Sequence, residues 1–78
     1  MRVELYGKPD CCLCDDAKVV LDRLRAETPF DLAVIDISER EDLRAKFGDE
    51  IPVVFVEGRK AFKFRIDETE LRRKLARG

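Results

Sequence analysis

Strand-like and helix-like segments alternate along the chain, and few folds accommodate that order within 78 residues. Alternating apolar residues predict a strand from Arg2 to Tyr6, and a second apolar segment predicts a strand from Phe30 to Ile37. Between them, apolar residues at helical spacing predict a helix that ends at Thr28, since the residue before a proline is biased away from helical angles. That apolar stripe consists of Leu13, Ala17, Val20, Leu21 and Leu24. A strand, a helix and a strand in succession predict a parallel pair joined by a right-handed crossover.

The second half of the chain has the pattern of a short helix followed by a hairpin. The segment from Ser38 to Glu41 has the spacing of a capping box, with Ser38 as the cap, and Gly48 is the expected C-terminal stop. The apolar run from Ile51 to Val56 predicts a buried strand. A tight turn at Gly58 then leads into an alternating segment from Lys60 to Arg65, which predicts an antiparallel partner.

A last helix is predicted after Asp67, because Asp67 and Glu70 have the spacing of a second capping box. The complete order is β-α-β-α-β-β-α. It predicts an α/β fold with a four-stranded mixed sheet flanked by three helices. We expect residues 1–78 to form a single domain, since a chain of this length has material for only one small core.

Charge is abundant but balanced, with 16 Lys and Arg against 17 Asp and Glu and a formal net charge of −1. A nucleic-acid module is not expected, because it would present a one-sided basic surface. No apolar run approaches the roughly 20 residues that cross a bilayer, and Glu4 interrupts the region where a signal peptide would be apolar. We therefore expect no membrane contact and a cytoplasmic location. The chain has no His, Asn or Gln, which excludes histidine chemistry and suggests a thermophilic source.

Three cysteines lie within four positions: Cys11, Cys12 and Cys14. A secreted disulfide scaffold would distribute an even number of cysteines along the chain. A bridge inside this cluster would close a loop of about four residues, and the chain-entropy treatment credits such a loop with only about 2 kcal/mol. The cluster is therefore a better candidate for chemistry than for stabilisation.

Cys11 falls where the first strand pattern gives way to the first helix. A helix N-terminus carries unsatisfied N–H groups and partial positive charge, which favour the thiolate form of a cysteine. Lys8 adds a nearby cation, either as a helper for Cys11 and a substrate carboxylate or as solvated surface. Adjacent Cα atoms lie about 3.8 Å apart, too close for an unstrained disulfide, so Cys11 and Cys14 are the sound pair. Cys14 borders the apolar stripe and should be the more buried, which makes Cys11 the attacking thiol and Cys14 the resolving thiol.

Two motifs resemble the glutaredoxin family. The active-site strand, turn and helix of that family are similar to Lys8-x-x-Cys11-x-x-Cys14 with Ala17, Lys18 and Leu21. The exit of its second helix and its cis-proline loop are similar to Phe47-Gly48-x-x-Ile51-Pro52-x-x-Phe55. The resemblance covers essentially the whole chain. It implies a thioredoxin-like fold, disulfide oxidoreductase activity and a cis peptide bond before Pro52, with the Ile51 backbone pairing with an extended substrate.

The resemblance also marks where this chain departs from the family. Glutaredoxins carry Pro-Tyr or a similar pair between the cysteines, where this chain has Cys12 and Leu13. Glutaredoxins carry a Gly-Gly pair whose backbone helps to hold glutathione. At the aligned positions this chain has Phe64 and Arg65. Asp67 lies at the position that matches an acidic residue of the family. Arg65 either grips a carboxylate in place of that contact or is solvated surface. The pattern is most similar to a small glutaredoxin-like subfamily with a Cys-Cys-Leu-Cys site, and the implied substrate contacts are Lys8, Ile51, Pro52, Arg65 and Asp67.

The leading hypothesis is a monomeric thiol-disulfide oxidoreductase that acts on a disulfide-containing protein or a small thiol substrate. An external donor would reduce it, and its own disulfide would be its redox group, with no organic cofactor unless glutathione binds. Cys12 is a spare exposed thiol, a regulatory or second resolving thiol, or a third metal ligand. The alternative is a metal or iron–sulfur carrier using Cys11, Cys12 and Cys14, which would need a second chain or an added thiol to complete its ligand set. A redox-inert interaction domain is the third possibility.

Overall fold

The computed structural model describes residues 1–77, and within them the strands and helices follow the predicted β-α-β-α-β-β-α order. The strands are β1 (Arg2–Gly7), β2 (Asp31–Asp36), β3 (Val53–Val56) and β4 (Arg59–Lys63). The helices are α1 (Cys12–Glu27), α2 (Glu41–Phe47) and α3 (Glu68–Arg77). The observed bounds differ from the predicted ones by a few residues, as is usual at the ends of helices and strands.

The strands form one mixed sheet in the order β2-β1-β3-β4. β1 pairs with β2 in parallel and with β3 antiparallel, so Leu5 lies between Val34 and Val54. β4 is antiparallel to β3. Their connection places both Glu57 (φ 52°) and Gly58 (φ 78°) in the left-handed region, as a two-residue hairpin turn of the favoured twist requires. The predicted parallel pair, hairpin and four-stranded mixed sheet are confirmed.

The sheet separates two apolar clusters. One lies between the sheet and the two longer helices, and its buried members include Leu5, Leu21, Leu24, Val54 and Leu71. The other lies towards α2 and contains Cys14, Ile37, Phe47, Ile51 and Val53, with Tyr6 and Cys11 packed against it. The second cluster is the one that positions the cysteines, because two of the three belong to it or contact it.

Leu13 does not lie on the buried face of α1 as the sequence predicted, since its side chain is 40% exposed. The inward positions are Cys14, Ala17, Leu21 and Leu24. These residues recur at helical spacing on one face, and Leu13 precedes Cys14 by one residue, about 100° around the helix. Cys14 therefore takes the place that the apolar pattern assigned to Leu13.

The predicted capping box of the second helix is also wrong. The N–H and the hydroxyl of Ser38 donate to Oδ1 of Asp36, at 2.8 and 2.6 Å. Ser38 thus closes a local turn with Asp36. The helix α2 begins only at Glu41, with Arg40 at the N-cap position and no side-chain cap, so Ser38 lies too early in the chain to cap it. Gly48 ends this helix in a helical conformation (φ −52°), and a Cβ there would collide with the Arg44 carbonyl oxygen.

Candidate active site

Cys11 is the N-cap residue of α1 and has an extended backbone (φ −110°, ψ 110°). Its sulfur accepts a hydrogen bond from the N–H of Cys14 at 3.3 Å, and its carbonyl accepts from the N–H of Asp15 at 3.0 Å. The thiol thus occupies the position that a Ser or Asp oxygen takes in an ordinary N-cap. The Cys11 sulfur therefore lies at the N-terminal end of a 16-residue helix, where it accepts from one backbone N–H.

Cys14 lies in a very different environment, because its side chain is only 7% exposed. Burial raises the pKa of the Cys14 thiol to about 11, and the hydrogen bond with Cys11 acts in the same direction. The backbone N–H of Lys8 partly opposes this, while the charge of Asp15 adds to it. At neutral pH Cys14 is therefore a protonated, sheltered thiol. The prediction that Cys14 is more buried than Cys11 is confirmed, and Cys12 is the exposed thiol of the three.

The side chain of Cys14 packs directly against the backbone of Gly7. The sequence pattern did not indicate Gly7 as part of the site. A Cβ at Gly7 would lie 2.9 Å from Sγ of Cys14 and 3.2 Å from its Cβ. Gly7 also ends β1, where its carbonyl accepts from the N–H of Ile37 at 2.9 Å. A glycine at the end of a strand just before a candidate active site is the only local signal that points to this close approach.

We expect Gly7→Ala to destabilise the protein by about 1–3 kcal/mol, because overpacking forces a buried side chain to move. The measurement is urea unfolding of the reduced protein. In the Cys14→Ala background the loss should be smaller, because the sulfur at 2.9 Å is gone. Equal losses in both backgrounds would show that Cys14 is not the neighbour that excludes a side chain at position 7.

Pro52 lies immediately before β3. The Ile51–Pro52 peptide bond is cis, and both residues are buried. Ile51 shares the second apolar cluster with Cys14, against which Cys11 packs. Within residues 1–77 Ile51 makes no backbone hydrogen bond. Its peptide groups are therefore free to pair with another chain.

Lys8 and Ile51 border the same cavity of about 300 Å³, together with Arg44 and Ser38. Among the described residues, neither Lys8 nor Arg44 makes a salt bridge. Asp49 lines the cavity as well, so the cavity offers two cations and one carboxylate next to the candidate substrate backbone, and its formal charge is positive. Arg44 was not predicted, since nothing in its local sequence separates it from Lys46, the other basic residue of α2.

Arg65 and Asp67 are not brought to that cavity. Oδ1 of Asp67 accepts a hydrogen bond from the N–H of Glu70 at 3.0 Å, which confirms the predicted cap of α3. Arg65 is exposed and borders a separate groove with Leu13 and Phe64. The structure therefore places two of the predicted substrate contacts, Lys8 and Ile51, at this cavity, Arg65 at a separate groove, and Asp67 at the start of α3.

The metal-carrier alternative gains no support from the geometry. In the described part of the chain, no three cysteine or carboxylate side chains are grouped so that they could hold a metal ion. Cys12 is exposed while Cys14 is buried, as their separation around the helix requires.

Within residues 1–77 no helix has the length and apolar character needed to cross a membrane.

The four-stranded sheet and its three helices have a thioredoxin-like fold. The fold, with a buried and a half-exposed cysteine at the start of α1, supports a thiol redox-type function in general. The chain belongs to the family described as "Glutaredoxin-like domain (DUF836)", whose family model matches residues 2–76. The resemblance stated from the sequence is thereby confirmed.

Known relatives extend over most of this chain. An uncharacterized protein of Mycobacterium tuberculosis is 36% identical over 81 residues, which cover 97% of this chain and 84% of that protein. The crystal structure of a structural-genomics target protein from X. campestris has a TM-score of 0.80 at 27% identity and covers 97% of both chains. The glutaredoxin-like protein NrdH-redoxin from Escherichia coli has a TM-score of 0.61 at 29% identity, covering 91% of this chain and 95% of its own.

Proposed function

We propose that the protein is a thiol-disulfide oxidoreductase with Cys11 as nucleophile and Cys14 as resolving thiol. The observation that carries this proposal is the hydrogen bond from the Cys14 N–H to the Cys11 sulfur, at 3.3 Å. It places the reachable sulfur at the positive end of α1 and the second, sheltered sulfur one turn further along. Two thiols with such different surroundings suit two successive roles.

The reaction consists of two exchanges. The Cys11 thiolate attacks one sulfur of a substrate disulfide, forming a mixed disulfide and releasing the first substrate thiolate. Cys14 then loses its proton to solvent and attacks the Cys11 sulfur, forming the Cys11–Cys14 disulfide and releasing the second substrate thiolate. The substrate has gained two electrons and the protein has lost two. An external dithiol, or two molecules of a monothiol such as glutathione, returns the protein to its reduced form.

The free backbone of Ile51 supplies a place for the substrate chain beside Cys11. A peptide laid against it would pair through backbone hydrogen bonds, as in strand addition. Lys8 and Arg44 then border the substrate with positive charge, which suits a carboxylate. NrdH-redoxin is described as a glutaredoxin-like protein with a thioredoxin-like activity profile, and we propose protein disulfides as substrates of the present chain. A free-thiol site of this kind fits the reducing cytoplasm.

The test is a redox titration in defined dithiol buffers, followed by alkylation and mass mapping of the trapped thiols. We expect a reversible two-electron Cys11–Cys14 couple between about −290 and about −150 mV, with Cys12 free throughout. The matched Cys12→Ser variant should titrate at the same potential. If no Cys11–Cys14 disulfide forms and stoichiometric metal is released to a chelator, the cluster is a ligand set and the enzyme proposal is wrong.

A further inference from the structure

Phe64 has a backbone conformation that residues with large side chains seldom adopt. Its φ is 68°, and the N–H of Arg65 donates to the carbonyl of Lys63 at 2.8 Å, closing a three-residue turn around it. Turns with this sign of φ are rare and strained. A strained residue that persists in a fold directs attention to function at that place.

The turn at Phe64 is tied to the loop that precedes β3. The N–H of Phe64 donates to the carbonyl oxygens of Glu50 at 3.2 Å and Pro52 at 2.9 Å. These two residues flank Ile51, a member of the second apolar cluster, against which Cys11 packs. The strained turn therefore holds the Phe64 side chain at a fixed place next to the proposed substrate strand.

A groove of about 300 Å³ lies between this turn and the first turns of α1. Its walls include Leu13 and Phe64, which are 40% and 44% exposed, and its lining continues along Ala17 and Val20. Large apolar side chains so exposed are rare in the described chain, where Val19 and Val34 are the other two. Two such side chains face this one groove, and one of them, Leu13, lies two residues after Cys11 in the chain. Such a groove is able to take an apolar group.

The charges at the groove favour one kind of occupant. Asp16 and Arg65 also line it, and neither forms a salt bridge with a side chain of residues 1–76. Their charges cancel, so the groove does not attract a ligand by net charge. Glutathione carries two carboxylates and an ammonium group but no apolar side chain, and it has nothing to place against Leu13 and Phe64. A polypeptide with Leu, Phe or a similar residue beside its reacting cysteine can place that apolar side chain against Leu13 and Phe64.

We propose that this groove is a specificity pocket that takes one large apolar side chain next to the cysteine of a polypeptide disulfide, with Phe64 and Leu13 as its specificity-determining residues. The inference rests on the proposed exchange at Cys11. It goes beyond that exchange because it states which disulfides react fastest. A pocket for one aliphatic side chain discriminates by about tenfold to about a hundredfold.

The experiment compares two pairs of short capped peptides, Leu-Cys with Gly-Cys and Cys-Leu with Cys-Gly, each as a mixed disulfide with the same chromophoric thiol. The second-order rate of the first exchange is measured with the Cys14→Ser variant, so that resolution does not interfere. We expect at least one leucine peptide to react about tenfold faster than its glycine partner. Phe64→Gly and, separately, Leu13→Ser should each bring that ratio close to one. Val19→Ser is the matched control, since Val19 is 59% exposed on the same helix but does not line the groove.

The outcomes separate this inference from the proposed function. Exchange with every peptide but no leucine preference overturns the pocket and leaves the oxidoreductase in place. A preference that survives both pocket substitutions, or that Val19→Ser also removes, overturns the assignment to Phe64 and Leu13. No exchange with any peptide contradicts the proposed function itself. Because Leu13 is an exposed helix residue, its variant keeps the test valid if Phe64→Gly does not fold.

Discussion

Replacing Cys11 by serine is expected to lower the rate of disulfide exchange by more than about a thousandfold, because a serine hydroxyl is a far weaker nucleophile than a thiolate at neutral pH. The fold should be retained, since a hydroxyl is at least as good an N-cap as a thiol. The measurement is release of a chromophoric thiol from a small disulfide, with circular dichroism as the check on folding. Exchange that persists at a comparable rate would show that Cys12, the exposed thiol, is the real nucleophile.

Replacing Cys14 by serine should have a different effect. The first exchange needs only Cys11, so it continues, and the mixed disulfide then accumulates because no second thiol resolves it. Intact mass spectrometry should show one substrate adduct per chain, mapped to Cys11. The Cys12→Ser variant is the control and should show no lasting adduct. If the Cys14→Ser variant turns over as fast as the parent, Cys12 or an outside thiol resolves the adduct and the assigned role of Cys14 is wrong.

The order of strands and helices was predictable because it depends on local periodicity. Alternation at Val3 and Leu5 and the apolar run ending at Val56 are properties of neighbouring residues, and the sheet buries them as expected. The cap at Asp67 was predictable for the same reason, since its acceptor and the Glu70 N–H are three residues apart.

The errors arose where two local interactions competed or where position around a helix mattered. Ser38 joins a local turn with Asp36, and α2 begins after Arg40 rather than after Ser38. Leu13 and Cys14 are both apolar, and only the tertiary packing against Gly7 decides which of them turns inwards. Sequence periodicity alone does not contain that choice.

The two cysteines, Lys8 and Ile51 could be selected as site candidates from the sequence, whereas Arg44 and the exposed side chain of Phe64 could not. Cys11 and Cys14 lie in one turn of one helix, so their spacing and the helix end describe most of their chemistry. Arg44 and Phe64 come from distant parts of the chain and reach the site only through the sheet and the loop around Pro52. No short sequence motif contains these two residues together with the cysteines. In the proposed function, they are the residues on which the choice of substrate depends.

The resolving step should accelerate with pH, and this follows from the burial of Cys14. Burial raises the pKa of its thiol to about 11 in the reduced protein, so only a small fraction is thiolate at neutral pH. In the mixed disulfide Cys11 no longer raises the pKa of Cys14, but burial, the largest cause of the raised pKa, remains. The pKa therefore stays above the ordinary value, and the resolution rate should rise by about tenfold per pH unit between about pH 6 and about pH 9.

A pH-jump experiment measures this directly. The mixed disulfide is formed on the Cys12→Ser variant in acid, where Cys14 resolves slowly, and release of the second chromophoric thiol is followed after mixing into buffers of higher pH. The charge of Asp15 also raises the pKa of Cys14, so Asp15→Asn should shift the profile towards lower pH and speed resolution at neutral pH. Asp16→Asn removes the same charge one residue further along α1 and should shift it less. A rate that does not change across this range would mean that Cys14 is already deprotonated when it attacks, and that its burial is relieved in the mixed disulfide.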